Sequence, residues 1–267
     1  MRRPPAVAGQ FYQGEAGRLE GQVRGLMAEP SARHEAKAVM VPHAGLVYSG
    51  AVAGAVYSSI KVPDTFVLIG PNHTGLGPRV SLMAEGSWQI PTGEVQIDSA
   101  LAARLARAVP LARMDSQAHM FEHSLEVQLP FIRHLSGKAK IVPLAVMTAS
   151  LEELEAIGEG VARAVGEAGY PVVIAASSDM SHFVPDATAR RKDRMALDRV
   201  LELDPRGLYA VVRAEGITMC GYMPAVITLV AAKGLGAKEA VLIKYATSAE
   251  ASGDYDSVVG YAGVVMK

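Results

Sequence analysis

The pattern that most restricts this chain is a set of short, unbroken apolar runs, each ended abruptly by proline, glycine or a polar tail. They are Lys37-Ala38-Val39-Met40-Val41, Thr65-Phe66-Val67-Leu68-Ile69, Lys140-Ile141-Val142-Pro143-Leu144-Ala145-Val146 and Pro171-Val172-Val173-Ile174-Ala175-Ala176. Runs of this length without polar alternation are strands buried on both faces, and such strands belong to sheets covered by helices.

The segments between the runs carry helical spacing. Leu19, Val23, Leu26 and Met27 predict a helix over about 17–29, with Pro30 after its end. Ser49 to Ile60 is rich in small residues and reads as a tightly packed helix. It joins the first two strands in a βαβ unit, whose crossover is expected to be right-handed. Asp98 caps a helix to about Val109, and Ser150-Leu151-Glu152-Glu153 is a capping box opening a helix to Gly166. A helix is expected over 121–135, with Pro130 as a kink or break. Further helices are expected at about 186–203, 205–214 and 222–233, and two more strands at 240–245 and 257–265. Residues 79–83 and 93–97 predict short strands in a hairpin or at a sheet edge around Trp88. The first 17 residues read as irregular, docked on the body by Phe11 and Tyr12. The expectation is one α/β domain spanning 1–267: a central, mostly parallel but mixed sheet with helices on both faces.

Composition narrows the function classes. The formal net charge is −1 with both signs scattered, which gives no basis for nucleic-acid or membrane-surface binding. No apolar run is long enough to cross a bilayer, and the N-terminal Met-Arg-Arg-Pro-Pro lacks the apolar stretch of a signal peptide. A single cysteine rules out an internal disulfide and suits a reducing compartment. The expected location is cytoplasmic.

The reactive residues sit just past the strand ends. His43 lies in Met40-Val41-Pro42-His43-Ala44-Gly45, His73 in Gly70-Pro71-Asn72-His73, and Asp179 and His182 in Ser178-Asp179-Met180-Ser181-His182. Cys220 lies in Met219-Cys220-Gly221-Tyr222. Open α/β sheets bind ligands outside the carboxyl ends of their strands. If these strands are parallel neighbours, the polar groups converge on one edge. Each residue alone has an ordinary explanation: a hydrogen-bonded loop histidine, a helix cap, a small buried thiol. Together they suit a metal. Two neutral imidazoles and a thiolate are good ligands for a late first-row ion, and three protein ligands leave positions open, as in a catalytic site. His182 would serve as general acid/base, with Asp179 orienting the imidazole or joining the ligands. His123 and Glu126 stand one turn apart on the expected helix, with Glu122 beside them, and read either as a charged helix start or as outer partners that orient the ligating histidines.

These five motifs, Val41-Pro42-His43-Ala44-Gly45, Gly70-Pro71-Asn72-His73, Glu122-His123-Ser124-Leu125-Glu126, Ser178-Asp179-Met180-Ser181-His182 and Met219-Cys220-Gly221, together resemble the Memo family. Its prokaryotic members are often called AmmeMemoRadiSam system protein B. The resemblance covers essentially the whole chain. It implies a fold similar to the class III extradiol ring-cleavage dioxygenases, which use non-haem Fe(II) held by two histidines and a glutamate. Carried over by motif, His43 and His73 match the histidine ligands, Cys220 takes the glutamate position, and His182 matches the acid/base histidine, with Asp179 in the same pocket. A thiolate is softer than a carboxylate, favours copper or zinc more, and makes the site oxidisable.

The resemblance implies Fe(II) or Cu as cofactor, with Zn as a further choice, and a non-haem metal-dependent oxidoreductase acting on an unknown small molecule. It also implies a functional link to a radical-SAM protein. A second reading is a non-catalytic protein that uses the same pocket to bind a peptide or metabolite. A third is a metal-free hydrolase with Cys220 as nucleophile, His182 as base and Asp179 as orienter. That reading leaves His43 and His73 without a role, and no Gly-x-Ser-x-Gly elbow occurs.

Overall fold

A computed structural model describes residues 1–29 and 32–267, so the expected Pro30 stop lies outside the described residues. In chain order, β1 (Arg2–Arg3) and α1 (Ala16–Leu26) precede β2 (Ala38–Val41), α2 (Leu46–Ser58) and β3 (Thr65–Pro71). Shorter pieces follow: β4 (Val80–Leu82), β5 (Ser87–Ile90), β6 (Gly93–Gln96), α3 (Ser99–Ala108), β7 (Arg113–Met114), α4 (Gln117–Met120), a 3-10 turn at Glu126–Gln128, and α5 (Leu129–Leu135). The second half comprises β8 (Lys140–Val146), α6 (Leu151–Gly166), β9 (Val172–Ser177), β10 (His182–Val184) and α7 (Asp186–Leu201). It ends with α8 (Pro205–Ala214), α9 (Tyr222–Gly234), β11 (Ala240–Thr247), α10 (Ala249–Ser252) and β12 (Val258–Met266).

The main sheet has the order β10-β12-β2-β9-β3-β8-β4-β7, with β11 paired to the other side of β12. Its centre is parallel: β2, β9, β3 and β8 run in one direction. Its flanks are antiparallel, through β12 on β2 and β4 on β8. The molecule is therefore an α/β fold with a mixed sheet. Every residue of β2 and β3 is buried, which is why these runs are apolar without alternation. Helix α2 packs on β2, β11 and β12, α9 packs on β2, β9 and β3, and α6 lies against α9 and α3. Helices cover both faces.

Small residues set the helix distances. A Cβ on Gly54 of α2 would lie 2.1 Å from the Leu26 carbonyl oxygen, so only glycine lets α2 reach the end of α1. The helix caps follow the sequence: Asp98 accepts from Leu101 N, and Ser150 with Glu153 completes a capping box.

The expected βαβ unit forms, with β9 inserted between its parallel strands β2 and β3. Three expectations need correction. The hairpin is formed by β5 and β6 across Pro91-Thr92, whereas β4 leaves it and pairs with β8. The tight connection makes the closer pair local, and the longer one is free to join the main sheet. The N-terminal segment is not wholly irregular, because Arg2–Arg3 pairs with Ser87–Trp88 as a third strand of that small sheet. Residues 121–125 are not helical, and α5 starts only at Leu129. Here the Glu122 carboxylate accepts from Ser124 N at 2.9 Å, a local side-chain bond that competes with the helical one. Pro130 falls in the first turn of α5, where its missing N–H costs nothing. β8 runs through Pro143 without a break.

Candidate metal centre

The parallel strands deliver their C-terminal loops to one edge. His43 follows β2, His73 follows β3, and Asp179 follows β9, which lies between them. A fourth arm comes from residues 121–125, and a fifth from the start of α9. One nitrogen each from His43, His73 and His123 lie within 4.8 Å of one another. The ring centroids are 5.4 Å apart for His43 and His73, 5.5 Å for His43 and His123, and 4.6 Å for His73 and His123. His123, expected from sequence as an outer partner, therefore stands within the imidazole group.

Each ring is held from behind. His73 Nδ1 lies 2.8 Å from Glu122 Oε1, and the backbone N–H of His73 donates to Glu122 Oε2 at 2.5 Å. A carboxylate only accepts, so His73 carries a proton on Nδ1, and the neutral form of the ring keeps its lone pair on Nε2. Burial alone would push Glu122 up, but the hydrogen bond from His73, its charge interaction with the same ring and the hydrogen bond from Ser124 N outweigh it and hold the carboxyl at about 2. Glu122 is thus a buried anion behind the cluster, 3.6 Å from His123 Nδ1 as well. His43 Nδ1 contacts Ser177 Oγ at 2.8 Å. Burial, then the neighbouring His123 and His73, lowers the His43 pKa well below the ordinary value, so the ring is neutral and able to ligate. Burial lowers His123 in the same sense.

Cys220 approaches from the N-terminus of α9. A Cβ on Gly221 would stand 2.3 Å from the Ser177 carbonyl oxygen, so glycine at this place lets the helix end touch the end of β9. Cys220 Sγ then lies 3.3 Å from His43 Nε2 and accepts from Asp179 N at 3.4 Å. Burial, then the Asp179 charge, raises the thiol pKa. The Asp179 carboxylate accepts from the backbone of His43 at 2.7 Å and of Ala44 at 3.4 Å, and its other oxygen is 3.9 Å from His43 Nε2. Burial raises Asp179 against those hydrogen bonds.

His182 opens β10, the strand that follows β9 in the chain and pairs with β12. Its Nδ1 lies 2.8 Å from the Met180 carbonyl oxygen and 2.9 Å from that of Thr218. Carbonyls only accept, so Nδ1 bears a proton, and the neutral form of the ring keeps its lone pair on Nε2. Phe183 beside it has φ 57, a left-handed conformation that is strained for a bulky residue.

Glu126 does not share a face with His123. It turns away from the imidazoles and receives Ala6 N at 2.8 Å, Val7 N at 3.1 Å and the Tyr12 hydroxyl at 2.6 Å, besides an ion pair with Arg3. The N-terminal segment is thereby tied beneath the site, and Phe11 packs its ring on His123 with centroids 4.8 Å apart.

Ser177, Gln128 and Arg3 carry no site role in the sequence reading, while Tyr12, expected only to dock the N-terminal segment, does so through Glu126. Ser177 and Gln128 did leave a signal, since each is a polar residue closing or interrupting an apolar stretch. Arg3 left none.

A set of three imidazole nitrogens with a thiol alongside fits a late first-row metal by donor type. In the third reading, Cys220 would need to stand against His182. Its contacts run instead to His43 and Asp179.

The sequence model of the Memo family, described as Memo-like protein, matches residues 3–265. A MEMO1 family protein of Sulfolobus acidocaldarius is 40% identical over 281 residues, covering 99% of each chain. One from Methanothermobacter thermautotrophicus is 39% identical over 98% of this chain and 99% of its own, and one from Aquifex aeolicus is 40% identical over 99% and 98%. Among solved structures, an uncharacterised protein of Escherichia coli K12, JW3007, superposes with a TM-score of 0.60 at 14% identity, covering 85% of this chain and 98% of that one. At that identity the likeness is one of fold. With the match running nearly end to end and relatives at about two-fifths identity over their full lengths, this chain belongs to the Memo family.

Proposed function

We propose that the chain is a mononuclear metal protein, with iron or copper held by His43, His73 and either Cys220 or His123, and that it acts as a redox enzyme on a small molecule. The observation that carries this reading is the convergence of three imidazole nitrogens within 4.8 Å at the carboxyl edge of a parallel sheet. Among the donors, His43 and His73 are common to both ligand sets. Cys220 is the softer choice, and its thiol would have to give up its proton on ligation. A bound metal would supply Lewis acidity and a redox couple.

The remaining residues supply the rest. His182 offers a neutral Nε2 that takes a proton from a ligand's hydroxyl, and its Nδ1–H is steadied by two carbonyls. Asp179 fixes the loop that carries His43. Glu122 holds His73 and balances the charge of the site. We place the protein in a reducing compartment, where the lone Cys220 stays a thiol; a partner of the radical-SAM type belongs to the same proposal.

The test is metal content. Untagged protein purified without oxygen should carry about one iron or copper per chain, and His43→Ala and His73→Ala should lose it. No metal in wild type, even after anaerobic reconstitution, overturns the reading in favour of a ligand-binding protein.

A further inference from the structure

We propose that Ser177, at the end of β9, is the positioning residue that sets the tautomer of His43 and so presents its Nε2 lone pair to the metal. The purpose of the device rests on the metal reading above; its geometry does not.

The protons along a buried chain can be counted. Ser177 Oγ lies 2.6 Å from the Ser124 carbonyl oxygen, which only accepts, so the single hydroxyl proton is committed there. The same oxygen lies 3.1 Å from Gln128 Nε2 and 2.8 Å from His43 Nδ1. With its proton spent, it can only accept from both. The Gln128 amide is fixed at each end. Its Nε2 donates to the Pro42 carbonyl oxygen at 2.9 Å, and its Oε1 receives the Tyr57 hydroxyl at 3.1 Å. Turning the amide over would set its oxygen against the Pro42 carbonyl. His43 Nδ1 must therefore carry hydrogen. A neutral imidazole has one ring proton, so Nε2 holds the lone pair.

The contact on the far side of the ring is compatible with this tautomer: Cys220 Sγ is 3.3 Å from Nε2, where a protonated thiol can donate to a lone pair. Tyr57, Gln128, Ser177 and His43 are at most 2% exposed, so the chain has protein partners rather than solvent ones. Ser177 also joins two arms of the site, because Ser124 is the residue after His123. A side chain that merely filled space here would leave the tautomer unchanged.

The test uses metal-free protein with labelled histidine and a two-bond proton–nitrogen NMR correlation, followed by titration with cobalt(II) alone. Wild type should show His43 with its proton on Nδ1. Ser177→Ala should move the proton to Nε2 or give a mixture, and should weaken cobalt binding about 10–100-fold. Ser177→Thr keeps the hydroxyl and should retain both the tautomer and the affinity. An Nε2–H tautomer in wild type overturns the proposal, whether or not the alanine variant folds. So does a Ser177→Ala protein that keeps Nδ1–H and binds cobalt as wild type does. Wild type with Nδ1–H but no cobalt uptake would sink the metal reading and leave the tautomer assignment standing.

Discussion

Arg3 and Glu126 form an ion pair across 123 positions of sequence in which neither side chain reaches solvent. The guanidinium also donates to the His119 carbonyl at 2.6 Å and the Glu122 carbonyl at 2.8 Å, and it stacks 4.1 Å from the Trp88 ring. The pair thus ties the first residues of the chain to the segment that carries Glu122 and His123. Breaking a buried pair by removing one partner leaves an uncompensated charge and costs about 3–5 kcal/mol.

Glu126→Gln should therefore destabilise the protein by about 3 kcal/mol or more in urea denaturation at neutral pH, and should speed proteolysis of the N-terminal segment. Replacing both partners by apolar residues often restores stability elsewhere, but not here. Glu126 also satisfies Ala6 N, Val7 N and the Tyr12 hydroxyl, which an apolar residue would orphan. Arg3→Met with Glu126→Leu should stay at least as unstable as the single variant; full recovery would refute this account.

His119 gives stability a pH dependence. Burial, and then Arg3 beside it, brings its pKa from 6.5 to about 4. The folded value lies below the unfolded one, so the unfolded chain binds the proton first. The contribution is fully present above about pH 6.5 and is lost as the pH falls through that value toward 4. The full shift corresponds to about 3 kcal/mol at most. His119→Phe should flatten the stability profile in this window without loss at neutral pH. Its Nδ1 has no hydrogen-bond partner among the described residues to lose, and Ser81 Oγ keeps Asp115 Oδ2 at 3.0 Å. His43 and His123 are lowered as well, so some slope should remain. An unchanged profile would mean that His119 binds its proton as readily in the fold as in the unfolded chain.

Glu122 controls His73. Glu122→Gln keeps the shape of the side chain but removes the anion that receives both His73 Nδ1 and the His73 backbone N–H. Metal affinity should fall about 10–100-fold, measured by competition with a chelator. Affinity within twofold of wild type would exclude this role.

Cys220 should be a slow nucleophile in the metal-free protein. Burial and Asp179 raise its pKa, and the thiolate is the reactive form. Iodoacetamide at neutral pH should alkylate it at least about tenfold more slowly than a free cysteine peptide. Fast alkylation that a chelator does not alter would revive the hydrolase reading.

Several features were legible because they depend on near neighbours in the chain. The runs ending at Val41 and Ile69 show their strands through apolar continuity, and Pro42 and Pro71 mark the ends where His43 and His73 emerge. The Ser150–Glu153 box is likewise a local matter. The spacing of 121–125 suits a helix that the structure does not form. What overrides that spacing is the Glu122 carboxylate, which bonds to Ser124 N and to His73, the latter 49 positions away. Periodicity does not register such a partner.

By itself, the sequence determined that short buried strands alternate with helices and that histidines follow the strand ends, since both are consequences of apolar runs and their breakers. Its motifs, taken together, also pointed to the family. Only the tertiary structure decided that β9 lies between β2 and β3, that His123 rather than Glu126 turns toward His43 and His73, and that Ser177 stands behind His43. These depend on strand order and on hydrogen bonds between residues far apart in the chain. A buried polar group must find a partner, and which partner it finds is settled when the strands are packed side by side.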